Sequence, residues 1–157
     1  MIVGVHHLAL GVPNLENGVR FYCDHLGFEL VQEFSWDSDN TQTQSAVGLP
    51  GSVAAGAMLK STNAFVEMWQ YETPAPRDRR SDPNDLGYAH FCLQVEDIAF
   101  EHARLSKAGM VFVGEPVDFG PAAAIYGRDP FGNVIELYEL KTAEGAQLVD
   151  GRASAGA

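Results

Sequence analysis

The chain has 157 residues, of which 46% are hydrophobic and 20% charged. That suits one globular domain, internally duplicated or not, and leaves no room for two unrelated domains of ordinary size. No apolar run approaches the ~20 residues of a membrane helix, and a net charge of -11 opposes docking on polyanions, whose phosphates call for clustered Lys and Arg.

In chain order, MIVGVHHLAL opens without a basic n-region or a cleavage site, so a cytoplasmic protein with neither membrane nor nucleic-acid partner is expected. His7 then begins a short strand. Asn14 is placed to cap a helix over which Leu15, Val19, Tyr22 and Leu26 recur at three- to four-residue spacing, and Gly27 ends it. Strand candidates follow at FELVQEF, TQTQSAVGL, VAAGAML and AFVEMWQY, the last covering residues 64 to 71. The segment ETPAPRDRRSDPND reads as a surface linker, with three Pro and alternating charge. It holds the one basic cluster, Arg77, Arg79 and Arg80, which with Lys60 and Arg128 is read as solvated in preference to holding a substrate carboxylate.

The pattern then repeats. HFCLQVEDIAFEHARLSKAGMVFV from His90 aligns by residue type with HLALGVPNLENGVRFYCDHLGFEL from His7, with Asp97 at the place of Asn14, Ile98, Leu105 and Ala108 on the helix, and Gly109 at its end. MVFVGE, VDFGPAAAIY and NVIELYEL (133 to 140) supply the strands, and NVIELYEL lies over AFVEMWQY so that Glu136 matches Glu67. Each module reads as strand, helix and three strands. The expected divisions are 1–72, a 73–86 linker, 87–140, and a flexible 141–157 tail docked at most around Leu148 and Val149.

Strand alternation puts His7, Ala9 and Gly11 on one face and Leu8 and Leu10 on the other; His90, Cys92 and Gln94 repeat the arrangement. The same parity groups Phe65, Glu67, Trp69 and Tyr71, and in the second copy Val134, Glu136 and Tyr138. A lone strand His is more often a rim or core residue than a ligand, and a lone strand Glu more often faces water. A carboxylate inside an apolar strand is costly unless paired or coordinating a metal, however, and here it recurs at matching positions. Two His and two Glu meeting would form a nitrogen and oxygen site for one divalent ion, with coordination positions left for substrate. The five-residue spacing to Val12 and Val95 selects His7 over His6 as the counterpart of His90, so His6 is expected on the helix side. His25 and His102 are expected to be solvated. Cys23 and Cys92 form no CxxC motif and read as free packing thiols.

With HHLALGVPNLENGVRFYCDHLGFEL, GYAHFCLQVEDI and the closing DPFGNVIELYEL, the sequence resembles the vicinal oxygen chelate superfamily, which includes glyoxalase I, methylmalonyl-CoA epimerase, extradiol dioxygenases and the bleomycin-resistance proteins. The resemblance runs from Val5 to Leu140. It implies an α+β fold in which two tandem βαβββ modules form a curved, eight-stranded mixed sheet around a metal site. By position the family's ligands fall on His7, Glu67, His90 and Glu136.

A full four-ligand set resembles the glyoxalase and epimerase branch. The implied activity is that of a lyase or isomerase that moves a proton α to a carbonyl through an enediolate chelated by the ion, with Glu136 or Glu67 as the base. The ion is one divalent metal per site, Ni, Co, Zn, Mn or Fe, and a homodimer with a small-molecule substrate is expected. Two rivals use the same fold. An Fe(II) extradiol dioxygenase would need His7, His90 and Glu136 and leave Glu67 a bystander; a drug-binding resistance protein would need no metal.

Glyoxalase I carries an Asn four residues after its first Glu and an Arg four before its second His, both for glutathione, where this chain has Tyr71 and Leu86. Glutathione is therefore not indicated. The generic DPFGN turn likewise gives no support to a CoA ester. Trp36, Trp69, Phe119, Tyr126 and Tyr138 are candidates for an aromatic-lined cavity, with Cys92 beside them on the histidine face, which favours an apolar or ring-bearing substrate.

Overall fold

The structure, a computed structural model, describes residues 1–78 and 82–148. Arg79, Arg80, Val149 and the rest of the tail lie outside the described residues. The chain divides into two compact units, the first ending at Asp78 and the second ending at Leu148. Among the described residues, no helix is long and apolar enough to cross a membrane.

In the first unit, β1 (His7–Gly11), α1 (Leu15–Leu26), β2 (Glu29–Trp36), α2 (Thr41–Val47), β3 (Val53–Lys60) and β4 (Phe65–Thr73) build a four-stranded sheet in the order β1-β4-β3-β2. The α1 N-terminus is capped as its sequence requires: the Asn14 side chain accepts from the Asn17 N–H at 2.8 Å. At its other end Gly27 adopts the left-handed conformation, φ 73°, that closes a helix. The buried stripe is Gly18, Phe21 and Tyr22, displaced from the expected Leu15 and Leu26. Gly18 is where the helix comes closest to the sheet, since any Cβ there would run into Met68 and Val12. Tyr22 on the helix and Leu59 and Met68 on the sheet are fully buried.

One element of this unit differs from expectation. TQTQSAVGL is α2 and not a strand, because Asn40 caps it by accepting from the Thr43 N–H at 3.0 Å and Gly48 closes it at φ 70°. Buried Gln44 ties the segments on both sides to the helix, accepting from the Gly51 N–H after it at 2.8 Å and donating to the Ser38 carbonyl before it at 2.9 Å.

In the second unit, β5 (Phe91–Gln94), α3 (Ile98–Lys107), β6 (Val111–Phe112), β7 (Val117–Asp118), β8 (Ala122–Arg128) and β9 (Val134–Leu140) form a five-stranded sheet, β5-β9-β8-β6 with β7 also on β8. Asp97 caps α3 at 2.9 Å from the Phe100 N–H, and Leu105 on the helix and Ile135 and Leu137 on β9 are fully buried. VDFGPAAAIY is two strands and not one: a tight turn interrupts it, with the Phe119 N–H donating to the Ala122 carbonyl at 2.8 Å and the Gly120 N–H to Asp118 Oδ1 at 2.7 Å. Within DPFGN, buried Asp129 accepts from the N–H groups of Phe131 and Asn133 at 2.9 and 2.8 Å and from the Asn133 side chain at 2.9 Å. That turn sets the start of β9 and thereby the height of Glu136 on the sheet.

In each unit the first strand runs parallel to the last, β1 beside β4 and β5 beside β9, with Ala9 opposite Glu67 and Cys92 opposite Glu136. Residues directly opposite one another share a face. The sheet face turned from the helix therefore carries the acid in both units.

Candidate metal centre

On the first unit's sheet, His7 Nε2 lies 3.4 Å from Glu67 Oε2. The same oxygen accepts a 2.9 Å hydrogen bond from the Trp69 indole N–H, two residues along β4. His7 is also bonded through Nδ1 to Nδ1 of His6 at 2.8 Å. With Nε2–H turned to the carboxylate, neutral His7 accepts at Nδ1 from His6; with Nε2 as a metal donor, it donates there instead. His6 is not directed to the helix side. It precedes the strand, so alternation does not govern it, and its ring stacks on Phe65 at 5.2 Å between centroids with planes 12° apart.

Beside this group stands a cluster of four aromatic rings. Trp69 meets Trp36 at 4.8 Å and Phe34 at 4.9 Å between centroids, and Tyr71 lies 5.8 Å from Trp36. Trp36 is buried and spends its N–H on Ser52 Oγ at 3.1 Å. Trp69 and Tyr71 are half-exposed. Burial, with the nearby Glu67 charge, pushes the Tyr71 hydroxyl above its ordinary range, which keeps it protonated.

The second unit repeats the pair and changes its surroundings. His90 Nε2 lies 3.1 Å from Glu136 Oε2. Where the first unit has Ala9, this one has Cys92, which is exposed and not the packing thiol expected, and its thiol bonds to Glu136; partial desolvation, then the Glu136 charge and that hydrogen bond, push the thiol up to about 12. The Tyr126 ring stands edge-on to His90 at 4.8 Å with its hydroxyl 3.5 Å from Nε2, and burial followed by Glu136 raises that hydroxyl too. Tyr138 is half-buried on the same face, opposite Gln94 and Ala124. Phe119 sits exposed in the β7–β8 turn.

Other expectations resolve plainly. His102 is tucked in and not solvated: its side chain is 15% exposed, Nε2 lies 3.0 Å from the Gly114 carbonyl oxygen, and the ring packs on Phe112. Arg128 donates to the Gly132 carbonyl at 2.8 Å, and Lys60 and Arg77 are exposed. The residues not anticipated at the site are His6 as a partner of His7, and Phe34 and Gly56 around Trp69. The alternation FSW in β2 and a glycine inside β3 were the available signals, because strand glycine marks close approach of a neighbour.

Each unit thus presents an imidazole nitrogen and a carboxylate oxygen side by side, the donor chemistry suited to a divalent ion of borderline hardness. Among the described residues no group of three or more His, Cys, Asp or Glu gathers as a metal cluster, so each unit by itself holds two donors.

Two successive units, one with a four-stranded and one with a five-stranded sheet where two βαβββ modules and eight strands were expected, each carry a His and a Glu on the sheet face turned from the helix, and this defines the class of protein. The chain belongs to the Glyoxalase/Bleomycin resistance protein/Dioxygenase superfamily, whose family model matches residues 4–137. It is 28% identical over 147 residues to a 2-epi-5-epi-valiolone epimerase from an Actinomyces species, covering 88% of this chain and 80% of that one. It is also 28% identical over 140 residues to a probable lactoylglutathione lyase from a Synechocystis species, covering 87% of this chain and 95% of that one. Among solved structures, a glyoxalase family protein from Bacillus cereus superposes with a TM-score of 0.80 at 25% identity, over 89% of this chain and 95% of that one.

Proposed function

We propose that this protein is a divalent-metal-dependent isomerase or lyase that moves a proton on the carbon next to a carbonyl, with His7, Glu67, His90 and Glu136 holding one ion. The observation that carries the reading is the repeated pair: imidazole Nε2 beside carboxylate Oε2 at 3.4 Å in one unit and 3.1 Å in the other. Glu67, paired to His7 and held by Trp69, is not the bystander that an oxygen-activating site would make of it. Relatives named as an epimerase and as a lactoylglutathione lyase support the same class of chemistry.

A nitrogen and carboxylate donor set without thiolate suits Ni, Co, Zn, Mn or Fe. When bound, the ion supplies Lewis-acid stabilisation of negative charge developing on the substrate's oxygens. The remaining work falls to side chains. Glu136 is the better base, since one oxygen of Glu67 already accepts from an indole N–H while the extra donor to Glu136 is a weak thiol. Tyr126, kept protonated, donates to a substrate oxygen. The half-exposed rings of Trp69 and Tyr71 favour an apolar or ring-bearing small molecule. The same reading has the enzyme working in the cytoplasm as a homodimer.

Elemental analysis of the purified protein tests this directly, with about one divalent ion per chain as the expected result. His90→Ala or Glu67→Ala should each abolish tight binding, because the two pairs serve one ion. Metal content unchanged by either substitution would sink the proposal. Proton exchange into deuterated solvent across hydroxy-ketones, hemithioacetals and acyl thioesters then identifies the substrate class.

A further inference from the structure

We infer that Trp69 is a positioning residue for the metal centre: its indole N–H fixes the Glu67 carboxylate in the orientation that ligation needs, and Gly56 provides the space that lets the indole lie there. The inference rests on the reading of Glu67 as a ligand.

Four observations converge on it. The Trp69 N–H bonds Glu67 Oε2 at 2.9 Å, the same oxygen that lies 3.4 Å from His7 Nε2, leaving the other oxygen without this donor. The two residues lie two apart on one strand, so both project from the same face. The ring has little freedom, being packed against Phe34, Trp36 and, at 6.2 Å, Tyr71. Gly56 lies directly opposite Trp69 on β3, and a Cβ there would come within 2.5 Å of Trp69 Cε3 and of Phe34 Cε2. Any side chain at 56 would lift the indole from the sheet and carry its N–H away from Glu67. Outer partners of this kind orient a ligand before the ion arrives, and their loss commonly weakens metal affinity ~10–100-fold.

The test uses the full chain stripped with EDTA and titrated calorimetrically with Ni²⁺ or Co²⁺ alone. Trp69→Phe keeps an aromatic ring on the strand but removes the N–H together with part of the indole; it should weaken binding at least ~10-fold, with a modest fall in thermal midpoint from the lost packing. In a Glu67→Asp background, which keeps a carboxylate donor but draws it back from the indole, the same substitution should have little further effect on affinity, because an effect exerted through the indole–Glu67 bond is already lost with that bond.

A second readout does not depend on the variant's folding. The chain has two tryptophans, and Glu67→Ala should shift one of the two indole N–H resonances, the one that added Zn²⁺ also shifts. Trp69→Phe binding metal as the parent does, an equal loss in both backgrounds, or indole signals blind to Glu67 overturns the inference while the metal reading stands. A parent chain that takes up no metal overturns that reading, and the inference with it.

Discussion

The two units hold the same pair of functional groups and support them differently. In the first, Glu67 is braced from its own strand by the Trp69 indole, and the residues opposite it on the two neighbouring strands are Ala9 and Met58. In the second, Glu136 is contacted from the neighbouring strand by the Cys92 thiol, and Tyr126 stands over the histidine. An N–H bond to a carboxylate is among the stronger hydrogen bonds in proteins, whereas a thiol is a weak donor. The two units share the acid and the imidazole and differ in how tightly each acid is held, the difference on which the proposed division of roles between a ligand Glu and a base Glu rests.

The largest effect that would break this comparison concerns the carboxylates themselves. Glu136→Gln should lower α-proton exchange by ~10²–10⁴, the usual contribution of a positioned general base, with a smaller loss of metal. Glu67→Gln should do the reverse, losing metal first and activity only as a consequence. Parallel measurements of bound metal and exchange rate on both variants decide between the roles; equal losses of both quantities would show two interchangeable carboxylates.

A smaller effect reads the Cys92 contact. With the thiol pushed up to about 12 in the metal-free chain, iodoacetamide should label Cys92 slowly at pH 8 and about tenfold faster per pH unit above it, with no plateau near the ordinary 9.0. The sign for stability follows from linkage. The folded chain binds the thiol proton more tightly than the unfolded one, so this group subtracts stability as pH climbs from 9.0 toward about 12. Glu136→Gln should lower the labelling midpoint only in part, because partial desolvation is the largest cause and the Glu136 charge the second. A midpoint unchanged in that variant would mean that Cys92 does not sense the acid.

Much of this was legible in the sequence because a duplication writes its own control. A single strand His or Glu says little, but His7 with His90 and Glu67 with Glu136 fall at matching positions, and parity then puts each pair on one face. Caps were equally legible, Asn14 and Asp97 being read correctly from local chemistry. What escaped notice depended on side-chain reach or on competition between local signals. TQTQSAV alternates enough to look like a strand, and only the Asn40 cap and Gly48 stop make it a helix. The turn inside VDFGPAAAIY is a matter of one aspartate reaching one N–H. His6 lay beyond the parity argument because it precedes the strand. The bracing of Glu67 required the rotamer of Trp69, which alternation does not supply.

The smallest effect contrasts two glycines. Gly56 in β3 and Gly127 in β8 are both covered by aromatic rings, yet they lie on opposite faces of their sheets: Gly56 pairs with Trp69 on the acid face, and Gly127 pairs with Ile135 on the helix face. A Cβ at Gly127 would come within 2.6 Å of Phe112 Cδ1 and 2.9 Å of Cε1, so the ring, held on two-residue β6, must shift. Overpacking of this kind costs ~1–3 kcal/mol. Gly127→Ala should therefore lower the unfolding midpoint in urea and leave metal affinity within about twofold of the parent, since a ratio of that size is well under 1 kcal/mol. Gly56→Ala carries a similar steric load but should weaken metal binding as Trp69→Phe does, because the group it displaces is the one that braces Glu67. If the two glycine variants lost metal equally, the loss would follow from loosened packing in general, and the separate bracing of the first unit's acid would have to be given up.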